Sequence, residues 1–169
     1  MKNIARNYIR LNDILNKIFG YVLALVMAFM TVIIFWQVFS RYVAGSSLSW
    51  SEELSRFLMI FMVLIGSSLA LRDGKLIAVD IVQDSLKGKV RKWVKVITHL
   101  ISIVFYIILF VYGLNVAEKF GNQVAPGTHI SMYFIYLSLP IGGLLLLINA
   151  ITCILEEFIG KEEVIEKKE

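Results

Sequence analysis

The 169-residue chain has one cysteine, two histidines and two prolines. A lone Cys153 excludes an intramolecular disulfide, a dithiol redox centre and a multi-cysteine metal site. A bis-histidine haem site needs two facing imidazoles. Here His99 falls inside an apolar run and His129 lies outside one. Aspartate and glutamate are absent from the apolar cores of all four runs, 57–71 in the second, whereas a proton-coupled exporter normally buries an acid near the midplane. His99 stands about one turn inside its run, four residues after Lys95, and reads as an interfacial hydrogen-bonding residue rather than a relay. No phosphate loop, nucleophile–base pair or metal-ligand spacing occurs. The expectation is a non-enzyme with no catalytic residue, no cofactor and no metal.

What is present is apolar. Hydrophobic residues make up 58% of the chain and the mean hydropathy is +0.75. Soluble domains hold about 45–50% apolar residues. A hydrocarbon core of roughly 30 Å takes about 20 helical residues to cross. Four segments satisfy this, 18–39, 50–71, 96–117 and 130–155, so the fold class expected is an all-α membrane protein of four transmembrane helices with short amphipathic interfacial helices. The first run is longer than the roughly 7–15 residues of a signal-peptide core and reads as a retained signal anchor.

Charge sets the orientation. Lys and Arg number four in residues 1–17, seven in 72–95 and three in 156–169, against only Arg41, Arg56 and Lys119 on the other side. The positive-inside rule then places both termini in the cytoplasm. The net charge of +4 sits at membrane flanks, so it points to lipid head groups and not to nucleic acid. Ile4, Tyr8, Leu11, Leu15 and Ile18 recur at helical spacing among Lys2, Arg6 and Arg10, which predicts an amphipathic interfacial helix over 1–17. Val79, Val82 and Leu86 give a shorter version, and 156–169 reads as a charged tail.

Helices in lipid associate through close packing and hydrogen bonds. Gly20, Ala24 and Ala28 form a small-residue ridge on the first span, and Gly66, Ser67, Ser68 and Ala70 a patch on the second, both expected to pack on protein. Gln37, Asn115 and Asn149 are the candidate buried polar residues. Pro140 removes a hydrogen bond to the Tyr136 carbonyl, with Gly142 close behind, and predicts a kink. Tyr21, Trp36, Tyr42, Trp93, Tyr133 and Tyr136 suit interfacial aromatic belts.

The stretch SLSWSEELSRF, Ser47 to Phe57, places charge at the threshold of the second span. Ser49-Trp50-Ser51-Glu52 fits a capping box. Glu52 and Glu53 suit the positive end of the helix dipole, and Arg56 lies within pairing reach of both. Arg41 is a second candidate partner, and Trp50 fits the outer belt. Two readings stand side by side: a cap with an anchor, or a charged knot that also organises a partner interface.

Residues Phe39 to Asp80 carry a resemblance. An F-x-R-Y turn (Phe39, Arg41, Tyr42), a W-x-E-E-x-x-R helix start (Trp50, Glu52, Glu53, Arg56), Gly66, Arg72 and the pair Val79-Asp80 occur in order. With Tyr136, Pro140 and Gly142 of the last span, the sequence resembles the small membrane subunit (DctQ-like) of TRAP transporters. Leu76 stands where that family often has histidine. The resemblance implies a sodium-driven tripartite carrier of organic acids such as sialic acid or a C4-dicarboxylate. A periplasmic substrate-binding protein captures the solute, and a large membrane subunit binds sodium and moves it. The small subunit pairs about one to one with the large subunit and braces its static scaffold. Its outer segments, 41–49 and 118–129, are placed to meet the binding protein. A self-assembling channel or exporter, and an anchor for some other complex, are the alternatives.

Overall fold

The computed structural model describes residues 2–43, 45, 48–75 and 89–159. Every regular element within them is a helix: α1 (Lys2–Val43), α2 (Ser49–Arg72), α3 (Lys89–Phe120), α4 (Met132–Tyr136) and α5 (Ser138–Ile159). An apolar run in lipid must satisfy its backbone internally, and a helix does so within one segment. Four stretches are long and apolar enough to cross a membrane: Arg6–Val43, Ser49–Arg72, Val96–Phe120 and Met132–Glu156. The all-α, four-span class read from the sequence is the one the structure has.

α1 differs from expectation. No break separates the amphipathic segment from the first span; one helix of 42 residues runs through Lys17 and Ile18. At 1.5 Å per residue it extends about 63 Å, roughly twice a hydrocarbon core. Neither glycine nor proline interrupts residues 2–19, so nothing local ends the helix. Ile9 and Asn12 are buried, which shows that the segment's inner side packs on protein.

α5 is central. It contacts α1, α2 and α3, while α1 also packs along α2, and α4 packs on α3. Leu71, Tyr106, Leu146 and Ala150 form the buried apolar cluster where α2, α3 and α5 meet. The closest approach is at Gly142, where an added Cβ would lie 2.6 Å from Leu64 Cβ on α2. Pro140 packs against Gly113 of α3, where a Cβ would come within 2.9 Å of Pro140 Cδ. The interruption Pro140 foretells falls three residues earlier. α4 ends at Tyr136, Leu137 is a turn, and Pro140 occupies the first turn of α5, where a missing N–H costs no helical bond.

The ends of the bundle differ. One end gathers the N-terminal part of α1, the close of α2 at Arg72 and the close of α5. The other, the loop end, holds the 121–131 connection, which folds back on itself. Val124 pairs with Ser131 in an isolated bridge, Ala125 N–H donates to the Ile130 carbonyl, and Met132 N–H donates to that of Gln123. Residues Val79, Val82, Leu86 and Leu76, and the tail from residue 160, lie outside the described residues. Glu156, assigned to that tail by its charge, belongs to α5.

Candidate functional site

Two polar assemblies hold the helices, one at each end of the bundle. At the terminal end Asn149 of α5 is 1% exposed and uses its whole amide. Its Oδ1 accepts from Asn12 Nδ2 at 2.8 Å and from Asn16 Nδ2 at 2.7 Å. Its Nδ2 donates to Asn16 Oδ1 at 2.8 Å and to Ser68 Oγ at 2.8 Å. Asn12 Nδ2 also donates to Thr152 Oγ1 at 2.7 Å. An asparagine side chain offers two donors and one oxygen with two lone pairs, so Asn149 is saturated. Three helices meet in this knot: Asn12 and Asn16 from α1, Ser68 from α2, Asn149 and Thr152 from α5.

One turn towards the end lies an ion triad on the same three helices. Arg72 Nη1 and Nη2 donate to the two carboxylate oxygens of Glu156, at 2.7 and 2.5 Å. Its Nε and Nη2 donate to Asp13 Oδ1 at 3.0 and 2.7 Å. The Arg72 side chain is 10% exposed and Glu156 13%. The fork of a guanidinium matches a carboxylate bidentately, so Arg72 fixes both distance and angle between helices. Because partly buried ions lack full hydration, removing any one member leaves charge uncompensated.

At the loop end the threshold charges divide. Arg56 Nη2 pairs with Glu52 Oε1 along one exposed face of α2. Glu53 points elsewhere: its Oε2 accepts from the backbone N–H of Gly127 at 2.9 Å, from Thr128 N–H at 2.6 Å and from Thr128 Oγ1 at 3.0 Å. A Cβ on residue 127 would lie 2.9 Å from that oxygen and 3.3 Å from the Ser49 carbonyl, so a side chain there would displace the carboxylate. Arg41 is exposed and joins neither group. The four-residue charged knot is therefore corrected to an exposed pair and a separate loop brace. i,i+4 spacing fixes the pair, whereas the loop's backbone donors claim Glu53.

The capping box is corrected as well. The N-cap is Leu48 and no side chain caps the helix. Ser51 Oγ donates to the Leu48 carbonyl at 2.8 Å, and Glu52 is engaged by Arg56. Trp50 is 43% exposed beside it.

The other expected positions fall as follows. A Cβ added at Gly66 would lie 3.8 Å from Leu23 Cδ2 of α1, and Gly142 and Pro140 lie at the contacts with α2 and α3 described above. Ser67 Oγ donates to its own helix at Val63. Nothing approaches Gly20 within 4 Å, and Ala24 and Ala28 are exposed, so this ridge faces away from the rest of the chain. Of the polar candidates Asn149 is buried, Gln37 half-buried and Asn115 exposed. His99 is half-buried. Tyr21, Trp36, Tyr42, Trp93 and Tyr133 are exposed on the helices, and Tyr136 packs its ring 5.4 Å from Phe120. Sequence reasoning missed Asn12, Asp13, Asn16, Thr152 and Glu156, and placed Ser68 only in a small-residue packing patch. The available signal was polar spacing on the first helix, where 12, 13 and 16 share a side.

These polar groups are satisfied by one another. No group of three or more His, Cys, Asp or Glu side chains is placed to hold a metal among the described residues. Fold and site together define a multi-pass helical membrane protein whose polar side chains tie helix to helix. The family of tripartite ATP-independent periplasmic transporters, DctQ component, matches residues 30–160, and the chain belongs to it. It is similar to the sialic acid TRAP transporter small permease protein SiaQ of Vibrio cholerae, 27% identical over 135 residues, covering 79% of this chain and 77% of that one. The ectoine TRAP transporter small permease protein TeaB of Halomonas elongata is 26% identical over 139 residues, covering 80% and 71%. The sialic acid TRAP transporter permease protein SiaT of Haemophilus influenzae is 26% identical over 115 residues, which are 68% of this chain and 19% of that one.

Proposed function

We propose that this chain is the non-catalytic small permease subunit of a sodium-driven TRAP transporter for organic acids, sialic acid or a C4-dicarboxylate. In this role it braces the static scaffold of a large membrane subunit. The observation that carries the reading is the self-satisfaction of the polar core. Asn149, Arg72 and Glu53 direct their donors and acceptors at neighbouring helices or loops of the same chain. A bundle tied in this way suits a fixed support, and cargo and sodium then bind the partner. The match to a minor part of SiaT supports a one-to-one pairing, since a stretch similar to this chain lies there within a much longer permease. Relatives named for sialic acid and for ectoine share similar identity to this chain, so the solute is set by other subunits.

The chain sits in the bacterial inner membrane with both termini in the cytoplasm, as its basic flanks direct. The braced 121–131 loop then faces the periplasm and meets the substrate-binding protein. Mild detergent extraction after co-expression tests the first claim: a large hydrophobic polypeptide should co-purify in equal amount, and vesicles holding this chain alone should take up no solute. Solute accumulation by the chain alone overturns it. Orientation is tested by cysteine labelling from outside, on a background lacking Cys153. Gln123→Cys should react and Ser85→Cys should not.

A further inference from the structure

We propose that Arg10 and Lys17 of α1 hold the phosphates of anionic phospholipids, whose head groups reach deeper along α1 than the edge set by α3. The contact is independent of the subunit reading above and requires only the membrane-spanning fold.

α1 and α3 run in the same direction through the bundle, yet their apolar segments are out of step. Asn12 and Asn16 bond to Asn149 and Thr152, so residue 14 of α1 stands level with residue 150 of α5. α5 runs opposite to α3, with Gly143 against Phe110 and Pro140 against Gly113. Residue 150 of α5 is therefore level with residue 103 of α3, and Ala150 shares a buried cluster with Tyr106. Residue 103 already lies seven residues, about 10 Å, inside the apolar segment 96–117. Residue 14, at the same level, is four residues short of the segment 18–39. The two segments are thus offset by eleven residues, about 16 Å.

Arg10 and Lys17 occupy this offset. Both are exposed, and neither has a carboxylate partner among the described residues. The one acid of α1, Asp13, is held by Arg72. Arg10, Ile14 and Lys17 follow at four and three residues, so they share one side of the helix. Helical Cα–Cβ bonds tilt towards the N-terminus, so the Lys17 stem leans back towards Arg10. At the same level α3 exposes only apolar groups, Leu100, Ile101, Val104 and Phe105. A cation beside hydrocarbon carries its charge to the head groups along its own methylenes. A slant of the bundle or a dip of the leaflet brings phosphate the rest of the way. Ile14 and Ile18, 51% and 52% exposed, then meet glycerol and the first methylenes, and Val22 and Leu25 the acyl chains. Two cations without a protein counter-ion favour a lipid of net negative charge over a zwitterion.

The test uses the full chain in phosphatidylcholine nanodiscs containing phosphatidylglycerol, with Cys153→Ser as background. Spin labels at Ile14→Cys and Val104→Cys sit level in the bundle. Relaxation by a water-soluble nickel chelate should dominate at Ile14, and relaxation by oxygen at Val104. Equal depth for the two labels overturns the offset. Fluorophores at the same sites are then quenched by head-group-labelled phosphatidylglycerol or phosphatidylcholine. At Ile14 the anionic lipid should quench several-fold more, and at Val104 the two should be equal. Arg10→Gln with Lys17→Gln should bring Ile14 to parity, and so should high salt acting on the chain with both cations intact. No preference at Ile14, or one that survives high salt, overturns the head-group site.

Discussion

Asn16 and Asn149 exchange hydrogen bonds in both directions, each amide nitrogen donating to the other's oxygen at 2.7 and 2.8 Å. The pair joins the start of the chain to its last helix. Interhelical hydrogen bonds in membranes average about 0.6 kcal/mol and reach about 1.7. Asn149→Leu removes bonds to Asn12, Asn16 and Ser68 together and should cost about 2 kcal/mol in reversible unfolding from mixed micelles. Asn115→Leu, at an exposed position, should change the same midpoint little.

The two arginines of α2 should separate sharply. Arg72→Ala leaves Asp13 and Glu156 partly buried without their cation and should cost about 3–5 kcal/mol. Arg56→Ala in the isolated chain removes an exposed pair, worth about 0–1 kcal/mol. Neutralising the acids alongside, as in Arg72→Met with Asp13→Asn and Glu156→Gln, should recover much of the first loss.

Glycine positions offer a packing contrast. Gly142→Ala forces a Cβ to within 2.6 Å of Leu64 Cβ, and overpacking of this kind costs about 1–3 kcal/mol. Leu64→Gly alone should cost more, about 2–5 kcal/mol, because it empties the contact, and adding Gly142→Ala to it should cost little further. Gly20→Ala meets nothing within 4 Å and should leave the isolated chain's midpoint unchanged.

The loop brace is read by hydrogen exchange. Glu53→Ala withdraws the acceptor from Gly127 and Thr128, and their amide protons should exchange at least tenfold faster. A hydrogen bond to a charged group contributes about 1.5–3 kcal/mol. Glu53→Gln, which keeps an oxygen but loses the charge, should fall between. Exchange at Val96, buried far along α3, should be unaffected.

Span count, the class of fold and the family were legible because an uncharged run of about 20 residues has one good solution in lipid. Asn149 stood out as a lone amide among leucines, and i,i+4 spacing correctly joined Glu52 to Arg56. Glu53 was assigned to the same knot because its partners are backbone groups, which leave no mark in side-chain identity. The ion triad was hidden for a different reason. In sequence Arg72 is one flank charge among many, Asp13 lies within an amphipathic stretch and Glu156 at the head of a charged tail, and only tertiary packing brings the three together. The ridge of Gly20, Ala24 and Ala28 carries a periodic signal for close contact, but a pattern on one helix does not say which chain supplies the other side.

The reach of the Asn12 to Asn149 contact, 137 residues apart in sequence, has a bearing on biogenesis. α1 leaves the ribosome carrying Asn12 and Asn16, whose mates on α5 are still untranslated. Until α5 arrives, Arg72 of α2 can take Asp13 but lacks Glu156, and the two amides lack Asn149 and Thr152. Inserting the helices and consolidating them are thus separate events, and a chain halted before α5 would be threaded through the bilayer yet unlatched, open to quality-control proteases.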